Sequence, residues 1–329
     1  MNFQCKNCGG NMIFAPARQK MYCPYCDGED TERVVGNDSL SVCASCGGEV
    51  DPGEYKSSDK CPYCGNFLVF DKRVSDAYKP DSIIPFKLDK EMAVDAMDKE
   101  FKKRLFAPIS FLSEKTLEGM KGAYVPFFLY DFEAHSEYRG EGTKVRSWRS
   151  GNYDYTETSY YDVERRLEVT FDNIPADASF EMNDETMDLM EPYDYSDLMS
   201  FDPKYLSGFF GEVYNDTSDK FSERARKKAT ESADTLLKKS IGGYASLHAS
   251  VDRTVLNDGK VDYALFPVWI YKYKFGGKDY NYYVNGQTGK VIGKTPVSKI
   301  KVLVYTLFSS GLLYLGLEAA LGILGGLLK

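Results

Sequence analysis

The spacing of apolar residues predicts two amphipathic helices ahead of residue 250. The first begins at Asp89, whose side chain can cap a helix N-terminus, and ends before Pro108. Its predicted apolar face consists of Met92, Ala93, Ala96, Met97, Phe101 and Leu105. The second helix covers residues 218–241 and ends at Gly242-Gly243. Its apolar stripe consists of Phe221, Ala225, Ala229, Ala233, Leu236, Leu237 and Ile241.

Alternating apolar and polar residues, rich in tyrosine and phenylalanine, predict strands before, between and after these helices. The predicted strands lie within residues 83–88, 123–138, 153–171 (two short strands), 244–256, 263–275, 280–284 and 290–293. A short helix is predicted around Met187. We therefore expect an α+β fold, with a β-rich domain and flanking helices at residues 81–298. Similarity between Tyr124–Tyr130 and Leu265–Tyr271 suggests two related halves in this domain.

The last stretch of the chain, residues 302–328, is almost wholly apolar and contains one charged residue, Glu318. About 20 apolar residues are enough to cross a bilayer, so this stretch predicts one C-terminal transmembrane helix. The alternative is a buried helix that closes the domain. The spacing Gly322-x3-Gly326 permits close contact with another helix, through which the protein could form an oligomer.

The lysines around this stretch predict its orientation. Lys294, Lys299 and Lys301 precede the apolar residues, whereas only Lys329 follows them. Because positive charge favours the cytoplasmic side, the N-terminal body should face the cytoplasm. We therefore expect a single-pass protein of the cell membrane with a cytoplasmic body.

All eight cysteines lie within the first 64 residues, in four Cys-x2-Cys pairs. Each cysteine of the first four recurs 38 residues later, so the N-terminus is a tandem duplication of one small unit. Each unit reads Cys-x2-Cys-x14-Cys-x2-Cys, which is typical of a tetrahedral zinc site. We predict a zinc ribbon at residues 1–30 and another at 41–70, each with one structural Zn²⁺. The predicted ligands are Cys5, Cys8, Cys23 and Cys26 in ribbon 1, and Cys43, Cys46, Cys61 and Cys64 in ribbon 2.

Other uses of these cysteines fit the pattern less well. Disulfides need an oxidising compartment, and no signal peptide is expected. A redox pair would not recur four times at a fixed offset, and the spacing suits zinc better than an iron–sulfur cluster. Four protein ligands leave no position for water, which argues against a catalytic zinc. Ribbons this short need the metal in order to fold.

The distribution of charge argues against a nucleic-acid partner. The net charge is −8, and residues 168–202 contain eleven acidic residues and no lysine or arginine. Residues 1–75 carry eight basic residues against ten acidic ones, so the ribbons lack the basic face that nucleic-acid readers use. The basic run at residues 224–228 is interpreted as a solvated face, with a contact to acidic lipid or protein as the alternative. The ribbons are therefore expected to dock proteins or to be purely structural.

The sequence contains no catalytic motif that we recognise. A phosphate-binding loop and a dinucleotide fingerprint are both missing from it. His135 and His248 stand alone, and every cysteine is already assigned to metal. We therefore expect no enzyme, no catalytic residue and no cofactor besides zinc. A deep pocket that gathers polar groups from distant strands would favour the opposite interpretation.

Beyond the ribbons, several short segments resemble one family, and the match extends over nearly the whole chain. They are Pro80-Asp-Ser-Ile-Ile-Pro-Phe86, Gly122-Ala-Tyr-Val-Pro-Phe-Phe128, Glu191-Pro-Tyr193, Tyr205-Leu-Ser-Gly208, Phe266-Pro-Val-Trp269 and Val284-Asn-Gly-Gln-Thr-Gly-Lys-Val291. In these segments the chain resembles the tail-anchored double zinc-ribbon membrane proteins of Gram-positive bacteria. Such proteins are labelled TFIIB-type zinc ribbon proteins, or primosomal protein N′ (replication-restart helicase)-like proteins.

The resemblance implies a function as well as a fold. It is strongest to family members encoded beside phage-shock-protein-A, SPFH and TPM-domain proteins. It therefore implies a non-enzymatic, membrane-anchored scaffold or adaptor that docks such partners in an envelope-stress assembly. The helicase label is not matched, because this sequence lacks every nucleotide-binding element. Two alternatives stay open: a nucleic-acid-binding ribbon protein in replication or transcription, and an enzyme with a site in the β-rich domain.

Overall fold

A ten-stranded sheet forms the centre of the body, and two two-stranded sheets lie at ribbon 1. The structure is a computed structural model that describes residues 1–36, 41–76, 78–108 and 119–327. The strands are β1 (Asn2–Cys5), β2 (Ile13–Ala15), β3 (Lys20–Tyr22), β4 (Glu32–Val35), β5 (Lys56–Lys60), β6 (Phe67–Val69), β7 (Ser82–Ile83), β8 (Lys121–Ser150), β9 (Tyr153–Asp177), β10 (Met199–Ser200), β11 (Phe210–Glu212), β12 (Ser246–Phe275), β13 (Lys278–Asn285) and β14 (Val291–Gly293). The helices are α1 (Asp71–Ser75), α2 (Lys90–Lys102), α3 (Asp184–Met190), α4 (Ser218–Ser240) and α5 (Lys299–Leu327). The α+β class is confirmed.

Three strands are much longer than the sequence predicts. The two short strands expected within residues 153–171 are one strand of 25 residues, and the two expected at 244–256 and 263–275 are one of 30 residues. Strand β9 pairs with β8, and β8 pairs with β12, all antiparallel. At roughly 3.3 Å per residue, β8 is about 100 Å long. We call the set β9-β8-β12 the blade.

Helix α4 covers one face of the blade with most of its predicted apolar stripe, although Leu236 of that stripe is exposed. The buried residues of this helix are Ala225, Ala229, Ala233 and Leu237. Towards its C-terminus, Leu237 and Ile241 pack in one cluster with Tyr138 of β8 and Val163 of β9. Burial of this stripe, rather than helix propensity, holds a helix of this length in place.

Helix α2 begins where the sequence predicts but ends earlier. The Asp89 side chain accepts a hydrogen bond from the Met92 N–H at 2.9 Å, which satisfies one of the free N–H groups of the first turn. The helix ends at Lys102, so Pro108 does not terminate it. Met92 and Leu105 are exposed, contrary to the predicted apolar face. The residues of α2 that are buried are Ala93, Met97 and Phe101.

Both ribbons are built into the body. The hairpin of β5 and β6 in ribbon 2 extends the ten-stranded sheet, because β5 pairs with β11, which pairs with β8. Ribbon 1 contributes Met12, Phe14 and Met21 to the main hydrophobic core. The Phe14 and Tyr205 rings meet edge to face, with centroids 4.9 Å apart. Contacts to the body therefore continue across the predicted ribbon boundaries.

The two similar segments of the β-rich domain lie side by side in the sheet. Pro126 of β8 is opposite Leu265 of β12, and Tyr124 is opposite Pro267. Both proline carbonyls accept a hydrogen bond from outside this strand pair, Pro126 from the Ala178 N–H and Pro267 from the Gly286 N–H. A local twofold axis between the two strands would therefore place each segment on the other, as expected for two related segments. The descent of the domain from two halves stays a prediction.

Helix α5 is a candidate membrane-spanning helix by its length and composition. The stretch that meets both criteria is Lys299–Glu318, and none of it is buried against the body. In the ranges that the structure describes, contacts with the body occur near its start. The Ser298 N–H donates to the Phe106 carbonyl at 2.8 Å, and the Phe106 and Tyr305 rings meet edge to face.

Candidate metal centres and a polar cavity

All four Cys-x2-Cys loops have one backbone conformation. In the first loop the Cys5 N–H donates to the Gly10 carbonyl, and the Gly9 N–H donates back to the Cys5 carbonyl. The same two bonds recur at Cys23, Cys43 and Cys61. The residue that closes each turn has positive φ, for example 76° at Gly9. Glycine adopts this conformation without strain, which explains why it closes three of the four loops.

The second glycine of each Gly-Gly pair makes room for a tyrosine ring. A Cβ atom on Gly10 would lie 2.5 Å from the ring of Tyr25, and one on Gly48 would lie 2.6 Å from the ring of Tyr63. Each tyrosine belongs to the other loop of the same ribbon. The glycine therefore allows the two loops to approach each other closely.

The eight cysteines lie in the two groups of four that the sequence predicts. In ribbon 1 the Sγ atoms of Cys5 and Cys26 are 3.6 Å apart, and those of Cys8 and Cys23 are 3.5 Å apart. The corresponding Sγ–Sγ distances in ribbon 2 are 3.7 Å for Cys43–Cys64 and 3.8 Å for Cys46–Cys61. A tetrahedron with zinc–sulfur bonds of about 2.3 Å has edges of about 3.8 Å. Both clusters are therefore compatible with a zinc ion bound by four thiolates.

The environment of the ribbon 1 thiols favours a bound cation. The Thr31 hydroxyl and the Cys8 N–H lower the pKa of Cys5 to about 6. The Gly28 N–H also lowers the pKa of Cys26, but the adjacent sulfurs of Cys8 and Cys5 outweigh it and raise this pKa to about 12. Four thiolates this close repel one another, and a divalent cation at their centre removes the conflict. Thr31 has no counterpart in the cysteine pattern, so sequence reasoning did not identify it.

A cavity of about 340 Å³ lies where ribbon 2 joins the blade. Its lining comes mainly from β5, β8, β11 and β12, with Glu181 from the segment before α3, and it includes Phe210, Lys121, Lys272 and Glu212. Ser179 donates a hydrogen bond to Glu212 Oε2 at 2.6 Å. Sequence reasoning missed this site, because no local pattern joins residues from four separate strands.

Burial raises the pKa of Glu212 to about 7, although the bond from Ser179 lowers it. The carboxylates of Glu181 and Asp177 raise it further, and Lys272 lowers it. A carboxyl with this pKa is half protonated near neutral pH. It can therefore donate or accept a proton under cellular conditions.

Glu212→Gln is expected to stabilise the protein above pH 7 and to change little at pH 4.5. The folded-state pKa lies above the ordinary value of 4.5, so the folded chain holds the proton more tightly. The stability from this group is complete below pH 4.5 and is lost as the pH rises through about 7. At pH 8 the variant should be more stable by about 2 kcal/mol, as measured by denaturant unfolding. The control is Glu223→Gln, which neutralises an exposed carboxyl of α4 outside the cavity lining. Equal effects of Glu212→Gln at both pH values would contradict the assignment.

Two residues of the basic run in α4 pair with the acidic segment of the same chain. Arg224 bonds to the buried Asp177 and lies 2.7 Å from Asp188. Lys228 lies 2.7 Å from Asp188 and 2.6 Å from Glu191. These ion pairs hold α3 and the end of β9 against α4. Part of the basic run therefore stabilises the fold through ion pairs. The sequence instead predicts a solvated face.

The fold and the two clusters define a class of protein: a double four-cysteine ribbon module fused to a β-rich body with a candidate C-terminal membrane helix. The chain is 32% identical over 338 residues to YdjG of Bacillus subtilis (strain 168), itself an uncharacterized protein, and the match covers 99% of each chain. The chain therefore belongs to the YdjG family. No protein-family model matches the sequence. No solved structure matches the chain.

Proposed function

We propose that this protein is a non-enzymatic, membrane-anchored scaffold or adaptor in which two structural zinc ions stabilise docking ribbons. The observation that carries the proposal is the pair of closed four-cysteine clusters on the same body as an unburied apolar helix. Four sulfurs around each centre fill the tetrahedral shell of zinc and leave no position for water or substrate. The ribbons then present fixed surfaces rather than reactive metal.

The anchor and the orientation belong to the same proposal. Helix α5 inserts into the cell membrane, and the lysines before it keep the body on the cytoplasmic side. Reduced cysteines suit that compartment. By family resemblance, the partners are SPFH, TPM-domain or phage-shock-protein-A homologues in an envelope-stress assembly. Helix α5 provides a further route to association through Gly322 and Gly326.

Affinity purification from detergent-solubilised membranes tests this function. The full chain is compared with a chain that ends at Pro296, and the recovered proteins are identified by mass spectrometry. The proposal expects SPFH, TPM-domain or phage-shock proteins with the full chain and a clear loss of them with the shorter one. Recovery of nucleic acid or replication proteins by both chains alike would replace it with the nucleic-acid alternative.

The polar cavity favours a second candidate function, binding or conversion of a small molecule. Polar groups from four strands converge there beside Phe210, and Glu212 would serve as the proton donor or acceptor. A small-molecule library screened by thermal shift against the native chain and Glu212→Gln tests this candidate. A ligand that stabilises the native chain and has no effect on the variant would support it.

A further inference from the structure

The outer end of the blade presents an aromatic face that the described residues leave uncovered. Helix α4 covers this face as far as Tyr138 and Val163. Because side chains alternate along a strand, Trp148 of β8 and Tyr155 of β9 lie further out on the same face. Their rings stack at 5.6 Å and are 43% and 45% exposed. Beside them Tyr153 is 71% exposed.

The edge of β8 next to this face is open. Pairing with β12 stops at Thr143 opposite Ser246, and every residue from 144 to 150 is exposed. The Thr143 carbonyl accepts a bond from the Ala245 N–H, so Thr143 directs its backbone groups to the β12 side. Backbone groups alternate in direction along a strand, so every second residue directs its N–H and C=O to the same side. The residues that share the direction of Thr143 are therefore Val145, Ser147 and Arg149. Within the described part of the chain, no strand pairs with them there.

Two cations line this open edge on the aromatic face. The Lys144 ammonium lies 5.2 Å from the ring centroids of both Tyr161 and Tyr244, and the Arg146 guanidinium lies 5.6 Å from that of Trp148. Among the described residues, neither cation has a carboxylate within ion-pair distance. Tryptophan, tyrosine and arginine are enriched in the hot spots of protein–protein interfaces, and cations stack on aromatic rings there.

Arg149 provides a contrast on the same strand. Its side chain lies on the opposite face and is 3.8 Å from Asp154. Lys144 and Arg146 therefore lie together on the aromatic face, where Glu157 is opposite Arg146 in the register but outside ion-pair distance. A second copy of the chain would bring the same cations to the edge, so charge disfavours pairing of the edge with itself.

We propose that the β8 edge from Lys144 to Ser150 binds an extended acidic segment of a partner protein as an added antiparallel strand. The proposal rests on the docking function above and narrows it to one edge and one chemistry. Backbone bonds to Val145, Ser147 and Arg149 would provide affinity, and alternate side chains would provide specificity. An apolar residue faces Trp148, and carboxylates two and four residues later face Arg146 and Lys144.

A peptide-binding experiment on the full chain in detergent tests the proposal. The probe is a fluorescein-labelled peptide, Thr-Phe-Thr-Glu-Thr-Glu-Thr, and binding is measured by anisotropy. The double variant Lys144→Glu/Arg146→Glu should weaken binding by about tenfold or more and should bind the peptide with lysine in place of glutamate. The matched control Arg149→Glu, on the other face of the same strand, should stay within about twofold of the native chain.

Two further changes test strand addition itself. Ser147→Pro removes an N–H from the open edge and leaves the backbone bonds between β8 and β9 in place, but it also loses the hydrogen bond between the Ser147 and Thr156 hydroxyls. It should abolish binding while circular dichroism is unchanged. Ser147→Ala, which loses the same hydroxyl and keeps the N–H, is the matched control and should bind as the native chain does. Methylation of the backbone nitrogens of the two central threonines in the peptide should also abolish binding. If the methylated and unmethylated peptides bound with equal affinity, the backbone hydrogen bonds would not contribute to binding. That result would overturn the proposal.

Other occupants of the edge give other results. Displacement of the peptide by oligothymidylate at equal concentration, or a native dimer that Ser147→Pro dissolves in sedimentation, would overturn the proposal in favour of nucleic acid or a second copy. Failure of every acidic peptide would also overturn it. Tail-dependent recovery of partners would then still support the scaffold function, so the two failures are distinguishable.

Discussion

Cys61→Ser is expected to lower the zinc content from two ions to one per chain and to detach the edge of the central sheet. Cys61 directly follows β5, whose residue Ser58 pairs with Gly211 of β11. The Ser58 hydroxyl also donates to the Phe209 carbonyl at 2.9 Å. Structural zinc provides about 10–16 kcal/mol in zinc-finger peptides, as much as the entire stability of a typical domain. Without it the hairpin of β5 and β6 should unfold and leave β11 unpaired on that side.

Zinc analysis and hydrogen exchange measure the two parts of this expectation separately. Amide exchange should rise in β5, β6 and β11 and stay slow in β12. The control is Pro62→Ala, which changes an exposed residue of the same loop and removes no sulfur. A Cys61→Ser chain that keeps two zinc ions would refute the ligand assignment. One that loses zinc without faster exchange in β11 would refute the coupling to the sheet.

A chain that ends at Pro296 is expected to move from the membrane fraction to the soluble fraction and to keep its fold. None of the apolar stretch Lys299–Glu318 is buried, so its removal takes away little packing. Among the residues that the structure describes, the truncation leaves the Phe106 carbonyl without the bond from the Ser298 N–H. Carbonate extraction measures the change of fraction, and near-ultraviolet circular dichroism measures the retained tertiary structure.

Substitutions in the full chain distinguish loss of membrane insertion from the effect of shortening the chain. Leu307→Lys with Leu312→Lys should also release the protein, because each buried lysine costs about 2.5–3.5 kcal/mol at the centre of a membrane helix. Glu318→Gln, which removes the charge within the apolar stretch, should stay in the membrane. A truncated chain that remained in the carbonate-washed pellet would show that another part of the body binds the membrane.

The elements that are defined by residues close together in the sequence were predictable. Helix α4 and the cap at Asp89 follow directly from apolar spacing and capping chemistry. The continuity of β12 was not predictable, because Asp258-Gly259 reads as a turn. In the fold these residues form an irregularity between Asp258 and Val261, where Gly259 lets the chain pass close to Asp131. Only pairing with β8, far away in sequence, distinguishes a bulge from a turn.

The candidate sites divide in the same way. The cysteine groups were predictable because the ligands of each ribbon lie within one short unit whose spacing sets their geometry. The cavity around Glu212 and the open edge at Lys144 were not, since both depend on which strands become neighbours. The exposed aromatic residues of β9 were present in the sequence, but alternation alone could not show that α4 ends before it reaches them.

The two ribbons have the same loop conformation but pack against different parts of the body. This difference limits which segments can be exchanged between proteins. Ribbon 1 moved to another protein would carry Met12, Phe14 and Met21 without the core that covers them. Ribbon 2 moved alone would carry β5 with its edge to β11 unpaired. Neither unit is portable, although each is recognisable as a repeat. A functional exchange between members of the family therefore needs its crossover points outside the ten-stranded sheet, and the segment before α5 is the place that the fold offers.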